Sequence, residues 1–274
     1  MQGSPLFSIV VPTFNRPAML KRAIESIERQ TLTDFEIIIS DDGSSADINE
    51  VVACFPGLRI SLLRSGENAG ATVARNRGID RSSGRYIAFL DDDDEYLPDF
   101  LASTLETLER SPREIGYSWS NICNVRYVDG RAVAWEPTNY VLPDGSSSMP
   151  FEDALTIGVG YGVTVRRDAL LAIGCFDSSL KVVEDTDLFM SLLSSGILST
   201  LVPGVNVRVH HHAGERMTSS SMNAIRIREC WMLMDKHARF LAEHPRLERQ
   251  LMSTIRSLQQ ESLLAEQADE KMLA

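Results

Sequence analysis

The segment Tyr86-Ile87-Ala88-Phe89-Leu90-Asp91-Asp92-Asp93-Asp94-Glu95 runs from a short apolar, β-forming stretch straight into five consecutive carboxylates. A stretch of that length and composition predicts a buried strand that ends at the acidic run. Adjoining carboxylates repel one another where such a strand ends. A divalent cation offsets that repulsion, and hard oxygen donors suit Mg2+ or Mn2+. The ion would also bridge phosphate oxygens and stabilise a leaving diphosphate. The same letters describe a solvated acidic loop in which Asp94 or Glu95 starts the next helix. Position after a central strand is what favours the metal.

Strand and helix signals alternate on either side of this segment. Phe7–Val11, Phe35–Ile39 and Leu58–Leu63 are further short apolar runs. Pro17–Gln30 has helical spacing at Met19, Leu20, Ala23, Ile24 and Ile27, with Pro17 suited to a first turn. Helices are also predicted over Ile48–Cys54, Ala69–Asp80 and Pro98–Arg110. The rhythm implies an α/β fold with a mostly parallel sheet flanked by helices. Ligands in such sheets sit beyond the carboxyl ends of the strands. Three polar clusters fall there: Thr13-Phe14-Asn15-Arg16, Asp41-Asp42-Gly43-Ser44 and Asp91–Asp94. The second cluster alone reads as a turn plus a helix cap; beside the acidic run it becomes a nucleoside contact.

The pattern changes near residue 113. Tyr117–Asn121 and Val125–Val128 predict strands, with a hairpin turn at Asp129-Gly130 and a loop over 136–150. Gly160–Val165 is strand-like, Glu184–Ser195 is helical, and Leu198–Val202 and Val205–His210 are short strands. From Ser221 onward the chain is helical, broken near His244-Pro245.

Composition narrows the function. The 274 residues carry 27 Lys+Arg against 38 Asp+Glu, a net charge of −11, which suits neither a nucleic-acid face nor an anionic bilayer. Cys54, Cys123, Cys175 and Cys230 form no C-x-x-C pair, so free thiols are expected instead of a zinc ribbon. The first apolar stretch lacks a basic flank and stops at Pro12, and no run approaches the ~20 residues of a membrane span. A cytoplasmic protein follows as the expectation, with peripheral contact at the inner face of the membrane left open. No G-x-x-x-x-G-K-[ST] loop is present, and Gly158-Val159-Gly160-Tyr161-Gly162 is not a G-x-G-x-x-G fingerprint.

Ser8-Ile9-Val10-Val11-Pro12-Thr13-Phe14-Asn15-Arg16 resembles the opening strand of family 2 glycosyltransferases. Gln30-Thr31, Asp34-Phe35-Glu36-Ile37-Ile38 and Asp41-Asp42-Gly43-Ser44 are similar to that family's next block. Asn68-Ala69-Gly70, Ala74-Arg75-Asn76-Arg77-Gly78-Ile79, Gly84-Arg85-Tyr86-Ile87 and Leu90–Asp94 are similar to the third. The resemblance implies a GT-A fold, a Rossmann-like sheet flanked by helices, and an inverting enzyme with a nucleotide-diphosphate-sugar donor, most often UDP. It implies nucleotide contacts from Pro12, Thr13, Asn15, Arg16, Asp41, Asp42, Arg75, Asp91 and Asp92. Asp93 becomes the ligand for Mn2+ or Mg2+, following the family's Leu-Asp-x-Asp-Asp order.

The resemblance extends to the second half through Gly174-Cys175-Phe176-Asp177 and Val183-Glu184-Asp185-Thr186-Asp187-Leu188. It implies a catalytic base in Glu184-Asp185, with Asp185 taking the acceptor's hydroxyl proton. Asp185 and Asp187 also suit a helix N-terminus, whatever their chemistry. His212, with His210 on the same strand face, is expected near metal or diphosphate, or else as packing. Gly160 and Tyr161 are expected at the acceptor, by close backbone approach and by stacking on a sugar, or simply as strand packing.

The division that follows is a catalytic domain over 1–220 and a C-terminal helical extension over 221–274. Within the first, 1–113 is the nucleotide-binding half and 114–220 the acceptor-binding half. The acceptor class is a glycan or a lipid-linked sugar. In the extension, Ile225, Trp231, Met232, Met234 and Phe240 form a stripe among Arg226, Arg228, Lys236 and Arg239. It is expected to pack on the core, with a membrane contact or a homodimer as the sharper alternatives. A nucleotidyltransferase shares the chemistry but needs a Gly-rich triphosphate loop that Pro12–Pro17 lacks. A receiver-like module needs only about half this length. A non-catalytic sugar-nucleotide sensor has no use for Glu184-Asp185.

Overall fold

The computed structural model of the chain describes residues 3–129, 131–154, 156–211 and 220–273. Its first half alternates β1 (Phe7–Thr13), α1 (Pro17–Glu28), β2 (Phe35–Asp41), α2 (Ile48–Ala53), β3 (Ile60–Arg64), α3 (Ala71–Arg81), β4 (Tyr86–Phe89), β5 (Glu95–Tyr96) and α4 (Phe100–Arg110). Then come β6 (Ile115–Val128), β7 (Arg131–Pro137), α5 (Phe151–Ala154), β8 (Thr164–Arg166), α6 (Arg167–Ala172), α7 (Glu184–Ser194) and β9 (Leu198–His211). Helices α8 (Asn223–Lys236), α9 (Ala238–Glu243) and α10 (Pro245–Leu273) follow.

The strands form one sheet in the order β3-β2-β1-β4-β8-β6-β9-β5, with β7 paired to β6. β1 pairs in parallel with both β2 and β4. β8 enters antiparallel to β4 and to β6, so β6 again runs in the direction of β4, and β9 is parallel to it. The carboxyl ends of β1, β2, β4, β6 and β9 therefore share one edge. The strand order reverses direction at β1, which opens the crevice where such sheets bind ligands.

Both faces of the sheet are covered, so the central strands are apolar throughout instead of alternating. Phe7, Ile9 and Val11 pack with Leu20, Ile24 and Ile27 of α1, whereas Val10 packs with Ile79 of α3 on the opposite face. Two differences from the sequence expectation have local causes. β9 is one strand, because the break at Pro203-Gly204 survives only as a bulge: pairing with β6 jumps from Ser120↔Val202 to Asn121↔Val205. The stretch over 160–165 is a 3-10 turn at Val159–Tyr161 followed by a strand only from Thr164. Gly162, at φ 66°, sets that turn, since a Cβ there would lie 2.9 Å from Phe100 and Val207 side-chain atoms. Of the hairpin turn, Asp129 adopts φ 48° and Gly130 lies outside the described residues.

The C-terminal helices share cores with α7 and the chain just before it. Cys230, Leu233 and Ile255 bury against Leu180 and Val183, and Leu241, Leu247 and Leu251 against Met190. The buried face of α8 is Asn223, Glu229, Cys230 and Leu233. Trp231 and Met232 of the expected stripe face solvent instead, at 46% and 41% exposure, because they fall off that i, i+3, i+4 face. The four cysteines are free. No helix among the described residues is long and apolar enough to cross a membrane.

Gly84 sets how closely the α3–β4 connection approaches β1. A Cβ there would stand 2.5 Å from the Ser8 backbone nitrogen and 2.7 Å from the Phe7 carbonyl carbon. Gly84→Ala is expected to destabilise the fold by about 1–3 kcal/mol, since backbone cannot yield as a side chain can. Thermal melts followed by circular dichroism check this; an unchanged Tm would show that β1 and β4 can separate freely.

Candidate active site

The carboxyl ends of β1, β2 and β4 deliver the three polar clusters to one crevice. Thr13, the last residue of β1, donates from Oγ1 to Asp92 Oδ2 at 2.7 Å. Asn15 takes the left-handed conformation at φ 57°, which Asn tolerates. There its Oδ1 accepts from the Ser45 N–H at 2.8 Å, and its own N–H donates to Ser44 Oγ. Pro12 is buried within β1 beside Ser40 of β2.

Asp41 and Asp42 are fully engaged within the protein. Asp41 Oδ1 accepts from the Ser44 N–H at 2.9 Å, and Arg64 Nε lies 3.2 Å from Oδ2. Asp42 Oδ2 accepts from the N–H groups of Ala69 and Gly70 at 3.0 and 2.7 Å, with Arg77 beside Oδ1. The pair thus builds the β2–α2 turn and ties it to the loop that enters α3.

The four aspartates after β4 have four different environments. Asp91 pairs with Arg75 at 2.9 Å. Asp92 is buried and bridged with Asp93 by Arg16, at 3.1 and 3.2 Å. Burial, reinforced by Asp93, pushes the Asp92 carboxyl up to about 6 against the hydrogen bond from Thr13 and the charge of Arg16. Asp94 is buried and accepts from the His210 backbone N–H at 3.0 Å; burial, with Asp91 and Asp93 near, pushes it well above the usual range. Asp93 keeps a quarter of its side chain exposed. A divalent ion fits this turn: its oxygens are hard donors, and two of its carboxyls already resist full ionisation. Among the described residues no three His, Cys, Asp or Glu converge as a complete metal cage. Mg2+-type ions ordinarily take one or two carboxylates and leave the rest to substrate phosphates and water.

The expected metal role of His210 is not what the structure gives. Its Nδ1 faces Tyr127 Oη and its Nε2 faces Glu95 Oε1, each at 2.8 Å, so both ring nitrogens point at other partners. His212 lies outside the described residues.

Across the crevice, α7 begins with the expected carboxylates. Arg75 is 5% exposed and spans the gap, holding Asp91 with one nitrogen and Glu184 with the other, at 2.9 and 3.1 Å. It was expected near the nucleotide; its guanidinium is already committed to a carboxylate from each half. Asp185 Oδ2 accepts from the Val159 N–H at 3.0 Å, while Oδ1 has no hydrogen-bond partner and stands 4.0 Å from Arg75. Burial, reinforced by Glu184, pushes Asp185 from its ordinary 3.8 up to about 7, with Arg75 opposing. Asp187 points the other way, to Lys236 Nζ at 2.9 Å and His237 Nε2 at 2.8 Å.

Gly158 makes room for a carboxylate, whereas Gly160 meets one only at ordinary contact distance. A Cβ on Gly158 would come within 2.8 Å of Asp185 Oδ2, and one on Gly160 within 3.4 Å of Asp94 Oδ2. Tyr161 meets Trp119 and Tyr140 edge-on, with centroids 6.4 and 6.3 Å away. Arg16, Thr13, Asp91, Asp92, Asp93, Gly160, Arg75, Glu184 and Asp185 are thus connected around one crevice. Sequence reasoning missed the roles of the side chains that hold it: the cations Arg64, Arg77 and Lys236, the amide of Asn76 and the carboxylate of Glu229. Asn76 and Arg77 stood inside a quoted block; Glu229 and Lys236 carry no sequence signal.

Comparison with known proteins places the chain among glycosyltransferases. The putative colanic acid biosynthesis glycosyl transferase WcaA of Escherichia coli is 38% identical over 81% of this chain and 78% of its own. An uncharacterized glycosyltransferase of Haemophilus influenzae is 30% identical over 69% of this chain, which spans 62% of that relative's length. S. aureus TarS bound to UDP-GlcNAc superimposes with a TM-score of 0.68 at 18% identity, over 83% of this chain and 66% of that one. The Pyrobaculum calidifontis mannosyltransferase PcManGT, solved with GDP-Man and Mn2+, gives 0.65 at 15% identity over 98% and 76%. At such identities the structural likeness speaks for the GT-A fold alone. The glycosyl transferase family 2 profile matches residues 8–170, and on that match the chain belongs to this family.

Proposed function

We propose that the chain is an inverting glycosyltransferase. It moves a sugar from a nucleotide-diphosphate sugar to a hydroxyl of a glycan or lipid-linked acceptor, with a divalent ion at the Asp91–Asp94 turn and Asp185 as general base. The observation that carries this reading is Asp185 Oδ1, a buried oxygen with no hydrogen-bond partner at the start of α7, joined through Arg75 to the acidic turn. An acceptor's hydroxyl fits that unmet need. WcaA, named for colanic acid biosynthesis, supports a glycan product.

In this mechanism the crevice beyond β1 and β2 takes the nucleoside, lined by Pro12, Thr13 and the Asn15–Ser45 link. Asp93 would hold Mn2+ or Mg2+, with Asp91 nearby; when bound, the ion neutralises the diphosphate as it departs. Arg16 holds Asp92 and Asp93 in register. The Val159 N–H and Gly158 fix the orientation of Asp185, so that Oδ1 and not Oδ2 is left without a hydrogen-bond partner. Glu184 is the poorer base, because Arg75 holds its carboxylate at 3.1 Å. Asp187 is out of reach, turned to Lys236 and His237. A base whose pKa lies near the working pH both accepts and releases a proton readily.

Asp185→Asn keeps the acceptor for the Val159 N–H but cannot take a proton. Its kcat is expected to fall ~10²–10⁴-fold while affinity for UDP with Mn2+ stays unchanged. Near-normal turnover would remove Asp185 from the chemistry. The pH dependence follows from a carboxyl raised to about 7: the base is protonated below that value, so the rate falls as pH drops through it. The stability sign is opposite. Folding raises this pKa, so the folded state disfavours the ionised form, and stability declines as pH rises from about 3.8 to about 7. Asp185→Asn removes that penalty, so its Tm at pH 8 is expected to match or exceed the parent's, with the advantage gone at pH 4.

The metal is tested separately by calorimetry with UDP in Mn2+ and in EDTA. Affinity is expected to drop sharply in EDTA, and Asp93→Ala to abolish the difference. Equal affinity in both buffers would sink the metal assignment and leave the base untouched.

A further inference from the structure

The segment that carries the base into position is held from two sides. Residues 173–183 link α6 to α7 and lead directly into Glu184. On one side, α3 grips it: Asn76 accepts from the Phe176 N–H and donates to the Phe176 carbonyl, and Thr72 Oγ1 donates to the Leu180 carbonyl at 3.0 Å. On the other side stands α8, which lies outside the matched family segment. Glu229 of α8 is 0% exposed. Its carboxylate accepts from the backbone N–H groups of Lys181 and Val182 at 3.1 and 2.9 Å, and more weakly from Val183 at 3.4 Å. About two turns of α8 further on, Lys236 Nζ reaches both Asp177 at 2.8 Å and Asp187 at 2.9 Å, on either side of the base.

We propose that Glu229 is a positioning residue for the Glu184–Asp185 pair, and that α8 thereby forms part of the catalytic apparatus. The inference rests on the general-base reading of Asp185. The three N–H groups precede the first turn of α7 and so have no partner within that helix. A buried carboxylate is an expensive device for satisfying them, and its worth lies in direction: it fixes the peptide planes immediately before Glu184. That orientation decides whether Asp185 Oδ2 meets the Val159 N–H while Oδ1 stays buried without a hydrogen-bond partner. The lever is short, with one residue between Val183 and the base. Misplacement of a reacting group by about 1 Å costs on the order of 10²-fold in rate. Glu229 itself hydrogen-bonds to the segment before α7, whereas the acidic turn is held by Thr13, Arg16 and the His210 N–H, so donor affinity is expected to change little.

Glu229→Gln tests this in the full chain, because the amide keeps one neutral acceptor oxygen for the three N–H groups and turns an NH2 toward the Lys181 N–H, where the carboxylate offered its second charged oxygen. Turnover is followed as nucleotide release from a panel of UDP-glucose, UDP-GlcNAc and GDP-mannose, and donor affinity as UDP binding with Mn2+. The expected result is a kcat lowered about 10²-fold at unchanged UDP affinity, and an Asp185→Asn/Glu229→Gln double variant no slower than Asp185→Asn alone. A change in Tm with turnover within twofold of the parent would overturn the proposal. So would effects that multiply in the double variant, since a purely structural defect adds to the loss of the base. Near-normal turnover of Asp185→Asn beside a slow Glu229→Gln would instead show the base assignment to be wrong, and the positioning role with it. Should Glu229→Gln not fold, Lys236→Met at a half-exposed site carries the same cycle, with a smaller loss expected and multiplying effects again counting against the proposal.

Discussion

The arrangement turns on Arg75. A guanidinium 5% exposed to solvent, it holds Asp91 from the turn after β4 and Glu184 from the start of α7, and lies over the Phe176 ring. Those carboxylates come from the two halves of the chain, 109 residues separating Arg75 from Glu184. Leaving one member of such a buried set unpaired typically costs about 3–5 kcal/mol. The bridge therefore sets the distance between the acidic turn and the candidate base. The neighbouring carboxyls respond to it: Asp185 is raised to about 7 by burial and by Glu184, and Arg75 keeps that rise from going further.

Charge is concentrated at this edge and managed by local partners. Arg16 ties Asp92 to Asp93, Thr13 caps Asp92, and the His210 N–H caps Asp94. Gly158 leaves space where the Asp185 carboxylate stands. That is a stronger constraint than backbone freedom alone. The helices after residue 220 belong to the same economy of contacts. Their apolar face completes cores begun by Leu180, Val183 and Met190, and their polar residues reach the chain on either side of Glu184-Asp185. A boundary drawn at residue 220 from the end of the family motifs thus does not mark a separate core.

Much of this was legible in the sequence. The alternation of short apolar runs and helical spacing determined the α/β sheet, because strands buried on both faces and helices buried on one differ in period. The polar clusters at Thr13, Asp41 and Asp91 pointed to one shared edge of the sheet, because parallel strands put their carboxyl ends together. The ordered blocks over residues 7–100 determined the family. Other features needed the tertiary structure, because they depend on pairs far apart in the chain. His210 looked like a ligand by residue type, yet Tyr127 and Glu95 take its ring nitrogens. Asp187 stands beside the expected Glu184-Asp185 pair in sequence, yet Lys236 and His237 hold it on the other side of α7. Trp231 and Met232 looked like a core stripe, but helix packing chose the face that carries Glu229 and Leu233. Residue type and spacing specify which groups are available and which side of an element they occupy. Which of them remain without a partner, and so free for chemistry, is decided only when the folded chain has brought distant cations and backbone N–H groups to the rest.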